Sequence, residues 1–304
     1  MACFHPLRAY RSVYGGITFS RAEGIAGGTI PLSLPCGQCV GCRLERSRQW
    51  AIRCVHEASL HDANSFSTLT YDDEHLPYHF GLVKRDFQLF MKRLRKHFHP
   101  LRIRFYHVGE YGDKFKRPHY HALLFGLDFD DKVIFSRSKA GVLYTSDVLS
   151  KIWGKGFVTV GALTFESAAY CARYCMKKVN GDQADAHYLR IDEDTGECFK
   201  VIPEYSTMSN HPGIAHDWIA AYTEDVYPSD FLTLKGRKLR PPKYYDRYFE
   251  HLAPDAMAQI KEDRESRARE LNLAAESTPE RLEVREVCSK ARLSGLKRSY
   301  ESGD

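Results

Sequence analysis

Residues 117–126, RPHYHALLFG, place two histidines one residue apart at the head of an apolar run. Together with the alternating segment Leu101–Gly109 and the loop GDKFKRP between them, the run reads as one strand of an antiparallel pair, His119–Phe125. On a strand, residues i and i+2 project to the same face, so His119 and His121 point together. Glu110 closes the preceding strand, and the short loop 111–118 brings its carboxylate beside them. Neutral imidazoles are common ligands of divalent metals, and two of them with one carboxylate leave coordination positions for water or a phosphate oxygen. Without the carboxylate, the same pair would read as hydrogen-bonding groups at a sheet edge.

The surrounding pattern alternates strands with helices. Phe66–Tyr71 reads as a strand and DDEHLP as a turn. Val83–His99 is an amphipathic helix, with Phe87, Phe90, Met91, Leu94 and Phe98 at helical spacing. Thr145 or Ser146 caps a short helix through Trp153 that Gly154 ends, Phe157–Leu163 is a strand, and Glu166–Val179 is a helix. Beyond it lie a hairpin (YLRIDEDTGECFKVI), the loop SNHPGIA and a helical, highly charged end in which STPE, from Ser277, fits a capping box.

At about 100° per residue, Ala168, Ala172, Cys175 and Val179 form one apolar stripe of the helix 166–179. Tyr170 and Tyr174 fall on the opposite face one turn apart, with Lys177 beside them; Cys171 and Cys175 read as packing residues. A phenol has a pKa near 10 and is a poor nucleophile unless a cation favours the phenolate. A bound Mg²⁺ or Mn²⁺ polarises a phosphodiester, and a lysine neutralises negative charge at the same centre. Tyrosine attack on a DNA phosphate conserves the bond energy in a phosphotyrosine ester, so the strand can be rejoined, and a second tyrosine permits a second cleavage while the first link persists.

PHYH followed by a helix carrying Y-x-x-x-Y-x-x-K resembles the HUH superfamily of single-strand endonucleases, in its rolling-circle replication initiator branch. The order, histidines before tyrosines, is similar to that of initiators rather than conjugative relaxases. With PCGQCVGCRLERSRQWAIRC and GEYGDKFKRPHYHALLFG, residues of about 30–180, and more loosely to about 250, resemble the replication initiation proteins of gokushovirus-type (Microviridae) single-stranded DNA phages. The resemblance implies an α+β fold: an HUH endonuclease core with a central antiparallel β-sheet flanked by α-helices, plus an N-terminal Cys-rich segment and a charged helical C-terminal tail. It implies His119 and His121 as metal ligands, Glu110 as the third through the shorter match of GEYG, Tyr170 and Tyr174 as nucleophiles in either order, and Lys177 as their lysine. One tyrosine would nick the double-stranded origin and hold the 5′ phosphate while the 3′ hydroxyl primes synthesis. The other would cut the regenerated origin, and the released 3′ end would close the circle. Single-stranded DNA at the viral origin, host helicase and host DNA polymerase are the partners implied. No G-x-x-x-x-G-K loop is present, so unwinding falls to a separate helicase.

Cys36, Cys39 and Cys42 form C-x-x-C-x-x-C in a chain with nine cysteines and no export signal at its N-terminus, a setting that favours metal over disulfides. Structural Zn²⁺ is expected, with Cys3, His5 or Cys54 as fourth ligand and Cys3 preferred; an iron–sulfur cluster and three plain reduced thiols are the alternatives. No run approaches the length that spans a bilayer, so a protein of the bacterial host cytoplasm with no membrane partner is expected. Eight basic residues and one acid lie between Lys84 and Arg104, and a second basic run, KGRKLRPPKYY, mixes charge with tyrosines, as suits a polyanion. Lys178, Arg117, Lys235, Arg237, Lys238, Arg240 and Lys243 are the DNA-binding candidates. The expected division is an N-terminal segment with the Cys cluster and a basic helix (1–62), the nickase core (63–181), an extension with the basic patch (182–256) and the charged tail (257–304). Two other functions fit the same residues: a phosphodiesterase that cleaves with water, and a non-catalytic single-stranded-DNA-binding or packaging protein.

Overall fold

The computed structural model describes residues 3–12, 14, 16–20, 32–112, 115–138, 141–173, 178–179, 183–192 and 195–294. In chain order they form β1 (Leu7–Arg11), β2 (Ile17–Thr18), β3 (Leu32–Leu34), α1 (Val40–Ala58), β4 (Asn64–Thr70), α2 (Lys84–His97), β5 (Arg104–Tyr111) and β6 (Pro118–Phe125). There follow β7 (Val133–Ser138), β8 (Gly141–Thr145), α3 (Asp147–Trp153), β9 (Val158–Ala162), α4 (Phe165–Arg173), α5 (Gln183–Tyr188), β10 (Leu189–Ile191), β11 (Cys198–Lys200) and β12 (Tyr205–Met208). The last elements are α6 (His216–Ala221), α7 (Thr223–Val226), β13 (Leu232–Leu234), β14 (Arg237–Leu239), α8 (Lys243–Leu252), α9 (Pro254–Glu270) and α10 (Pro279–Ser294). The chain divides into two compact units, residues 1–46 with 261–297, and residues 47–260 with 298–304. The fold is α+β.

In the larger unit seven strands form one antiparallel sheet in the order β12-β5-β6-β4-β9-β8-β7. Strand periodicity of two splits its apolar residues between two cores. Phe66, Tyr106, Val108, Leu123 and Phe125 face α1, α4 and α8, packing with Ala51, Ile52, Ala168, Tyr170, Tyr245 and Phe249. Leu69, Tyr120, Ala122, Leu124, Val158 and Val160 face α2 and α3, packing with Phe87, Phe90, Leu94, Leu149 and Trp153. The amphipathic helix and both caps of the next one match the sequence expectation: Ser146 Oγ accepts from the Leu149 amide at 3.0 Å, and Gly154 ends α3 with φ 63°.

Three expectations are corrected. The helix at 166–179 does not reach Val179, because Lys178 and Val179 are non-helical, and the Val179 amide donates to Tyr188 Oη at 2.9 Å. The apolar stripe therefore does not hold: Ala168 joins the first core and Val179 packs against the second. At the C-terminal end the capping residue is Thr278, whose Oγ1 accepts from the Arg281 amide, while Ser277 Oγ donates to Leu273 O in the preceding turn. Pro279 then takes the first helical position, where its missing N–H costs nothing.

A buried ion pair ties α1 to the start of β5. Glu57, 3% exposed, pairs with Arg104, 7% exposed; its Oε2 accepts from the Ala215 amide at 2.6 Å, and Arg104 Nη2 donates to Pro212 O at 2.9 Å. Truncating Glu57 strands a buried guanidinium, so Glu57→Ala is expected to lose about 3–5 kcal/mol in urea unfolding. Burial pushes the Glu57 carboxyl up, but His61, the Ala215 amide and Arg104 together hold it below its ordinary value. The folded state then binds that proton more weakly than the unfolded state. Its stabilisation is complete above the unfolded pKa of about 4.3 and is lost as pH falls through the lower folded value. The stability difference between the native protein and Glu57→Gln should shrink over that acid window; a difference constant from pH 6 to pH 3 would contradict the assignment.

Candidate metal and tyrosine centre

The hairpin β5–β6 builds the site. Glu110 lies in the ladder directly opposite His119, and His121 lies opposite Val108, so all three side chains share the α4 face of the sheet. Both imidazoles converge on one oxygen: Glu110 Oε1 is 2.5 Å from His119 Nε2 and 3.1 Å from His121 Nε2. Glu110 is fully buried, His121 is 2% exposed and His119 is half-buried. Burial pushes the Glu110 carboxyl up, yet the charges and hydrogen bonds of His119 and His121 outweigh it and hold it down at about 2.

The outer ring nitrogens are tied back. His119 Nδ1 is 3.2 Å from Arg117 O, and His121 Nδ1 is 2.9 Å from Thr68 Oγ1 on β4. A carbonyl only accepts, so His119 carries a hydrogen on Nδ1, and in the neutral ring its Nε2 presents a lone pair toward a carboxylate oxygen. That approach needs either a second proton on the ring or a cation held between the two groups. Three ligand atoms within 4.8 Å of one another, with outer nitrogens already fixed, fit a divalent metal.

Tyr170 arrives from α4. The start of that helix is set by a reciprocal pair, in which the Thr164 amide donates to Ser167 Oγ at 2.8 Å and the Ser167 amide donates to Thr164 Oγ1 at 3.2 Å. This register lays the Tyr170 ring edge-on against His121, with centroids 5.3 Å apart, and against Phe66 at 6.1 Å. Tyr170 is 4% exposed, so the face expected to be separate from the core is itself buried. Helical angle says which residues align, not what the sheet brings against them. Tyr174, Lys177 and Cys175 lie outside the described residues; Cys171 is fully buried beside Ala168, as a packing residue.

The basic candidates occupy distinct places. Lys178 is exposed. Arg117 donates to Asp73 Oδ1 at 2.8 Å and to Tyr71 O at 3.1 Å, bracing the acidic turn. Lys235 sits with Gly236 at the turn of the β13–β14 hairpin, both with positive φ, and pairs with Glu166 in the first turn of α4. Arg237, Lys238, Arg240 and Lys243 are exposed on and after that hairpin. Thr68 and the Arg117 carbonyl were missed from sequence; the same-face spacing of Phe66, Thr68 and Thr70 was the signal for the first.

A second cluster lies in the smaller unit. The sulfurs of Cys3, Cys36, Cys39 and Cys42 are all within 4.8 Å of one another. Amides point at them: Cys36 N–H donates to Cys3 Sγ at 3.2 Å, Phe4 N–H to Cys39 Sγ at 3.3 Å, and Cys39 N–H to Cys36 Sγ at 3.3 Å. Burial pushes the Cys39 thiol up, but the Phe4 and Cys42 amides and the neighbouring thiols hold it down at about 6. Of the other fourth-ligand candidates, His5 Nε2 is engaged by Glu286 Oε2 at 2.7 Å, and Cys54 is buried in the sheet core of the larger unit. No helix among the described residues is long and apolar enough to cross a membrane.

A family model for replication-associated proteins of the ORF2 type matches residues 64–179, which span both the histidine strand and the tyrosine helix. Replication-associated protein VP4 of Bdellovibrio phage phiMH2K is 34% identical over 267 residues, 84% of this chain and 79% of the relative. Replication-associated protein ORF2 of Spiroplasma virus 4 is 34% identical over 294 residues, 88% and 87% of the two chains. Replication-associated protein ORF4 of Chlamydia phage 1 is 35% identical over 220 residues, 70% of this chain and 52% of the relative. No solved structure matches.

Proposed function

Because the chain belongs to the replication-associated proteins of Microviridae-like phages, we propose that it initiates rolling-circle replication by nicking and rejoining a DNA strand through phosphotyrosine. The observation that carries this reading is Tyr170 packed against His121 of the Glu110–His119–His121 cluster. Glu110, His119 and His121 would hold Mg²⁺ or Mn²⁺, and the two nitrogen donors favour Mn²⁺ of the pair. Once bound, that ion supplies charge stabilisation for the phosphate oxygens.

The chain's own residues do the rest. Thr68 and the Arg117 carbonyl fix the imidazole orientations. The Tyr170 or Tyr174 phenol oxygen attacks phosphorus and gives up its proton; the P–O3′ bond breaks, and the departing 3′ oxygen gains a proton. The 5′ phosphate stays on the tyrosine and the 3′ hydroxyl is free to prime synthesis. Attack by a later 3′ hydroxyl on the phosphotyrosine reverses the bonds and closes a circle. Host helicase and polymerase would act on the opened strand.

Water-based cleavage has one observation in its favour, the burial of the Tyr170 ring. Scission of an end-labelled single strand bearing the viral origin, with Mn²⁺, separates the two. The double variant Tyr170→Phe/Tyr174→Phe should lose all scission, whereas undiminished scission would establish the hydrolytic reaction. For the four-cysteine cluster we assign structural Zn²⁺: four thiolates fill a tetrahedral shell and leave no substrate position, and amide hydrogen bonds offset their charge.

A further inference from the structure

One row of the sheet continues past the metal cluster. Glu110 is opposite His119, His119 is opposite Thr70, and the Phe157 carbonyl accepts from both the amide and the hydroxyl of Thr70, each at 2.9 Å. Since Leu69 pairs with Val158, the next residues outward, Thr70 and Phe157, are also opposite, and opposed residues share a face. The Phe157 side chain therefore lies on the ligand face, two strands from His119, or about 10 Å at the usual strand spacing. Its backbone is pressed against β4: Gly156, with φ 141°, has no Cβ, and one there would lie 2.3 Å from the Asp72 amide nitrogen.

Phe157 is 47% exposed and touches Phe135 of β7, itself 50% exposed, with ring centroids 5.0 Å apart at 57°. Two large aromatic faces left in solvent, in one row with a centre for phosphodiester chemistry, have the character of a stacking surface. We infer that Phe157 and Phe135 form a platform on which unpaired bases of the DNA strand stack beside the scissile phosphate. The inference takes its ligand, a single strand, from the nicking reading. The strip is continuous with that centre, which favours DNA over a second copy of the chain as its occupant.

The test uses the full chain and fluorescence anisotropy with labelled oligothymidine and an abasic strand of equal length, so it needs neither scission nor a mapped origin. Phe157→Ser should weaken oligothymidine binding about tenfold, leave abasic binding unchanged, and so erase the preference of the native protein for bases. Phe157→Trp should keep that preference, which a merely folding-related loss would not. Ile134→Ser, on the same exposed edge strand but outside the strip, should bind as the native chain does. Equal loss on both strands, no loss at all, or a change of oligomeric state with DNA binding intact would overturn the platform. A base preference that depends on Phe157 in a protein that never cuts DNA would retain the platform and remove the nicking reading.

Discussion

Glu110→Ala lowers Mn²⁺-supported scission about a thousandfold, since the charge stabilisation a bound metal supplies is worth several kcal/mol and each 1.36 kcal/mol is tenfold in rate. The size follows from geometry. Both imidazoles converge on Glu110 Oε1, so its removal takes away the one anionic donor and the group that holds the two Nε2 atoms together. Raising Mn²⁺ should recover part of the rate, because the two nitrogens remain. Thr68→Val, which removes only the partner of His121 Nδ1, should raise the Mn²⁺ requirement about 10–100-fold with little change in rate at saturating metal. Titrating scission against Mn²⁺ for the three proteins checks both. A Glu110→Ala protein with a native metal dependence would show that the cluster is only a hydrogen-bonded pair of histidines.

Stripping the metal from the cysteine cluster should unfold its surroundings. Structural zinc in small sites carries apparent binding free energies of about 10–16 kcal/mol, which is folding free energy for the segment it closes. Cys3 reaches the other three cysteines from the far end of the intervening β1–β3 segment, so the ion would join two stretches of chain that share little other core. The native protein should hold one zinc by elemental analysis. Cys39→Ser should hold none, expose the remaining thiols of the cluster to a thiol reagent, and become sensitive to protease within residues 3–46. Iron with visible absorbance would assign a cluster instead. Zinc-free native protein with unreactive thiols would mean plain buried cysteines.

Much of this site was legible because its signals are local. His119 and His121 share a face by strand periodicity alone, and a short hairpin loop was enough to bring in Glu110. Ser146 and Gly154 announced a helix by the chemistry of its ends. The pieces that escaped depend on distant sequence. β12 pairs with β5 across roughly a hundred residues, and nothing in YSTM names its partner. β7 and β8 carry apolar residues that stay exposed, so their pattern gives no core face to read. The basic stretch 235–245 became a hairpin turn and the start of α8, because Lys235-Gly236 supplies two left-handed residues. The burial of Tyr170 was hidden for a different reason: its helix lies between a sheet and other helices, so more than one of its faces meets protein.

The central claim is covalent chemistry by tyrosine, and one experiment reaches it directly. Native protein, Tyr170→Phe, Tyr174→Phe and the double variant are incubated with Mn²⁺ and a labelled single strand spanning the origin, then run on denaturing gels. A labelled DNA–protein band in the native lane that disappears in the double variant is the expected result, and its loss in one single variant would assign the first nucleophile. Nicked DNA in the native lane with no protein-linked band would contradict the account.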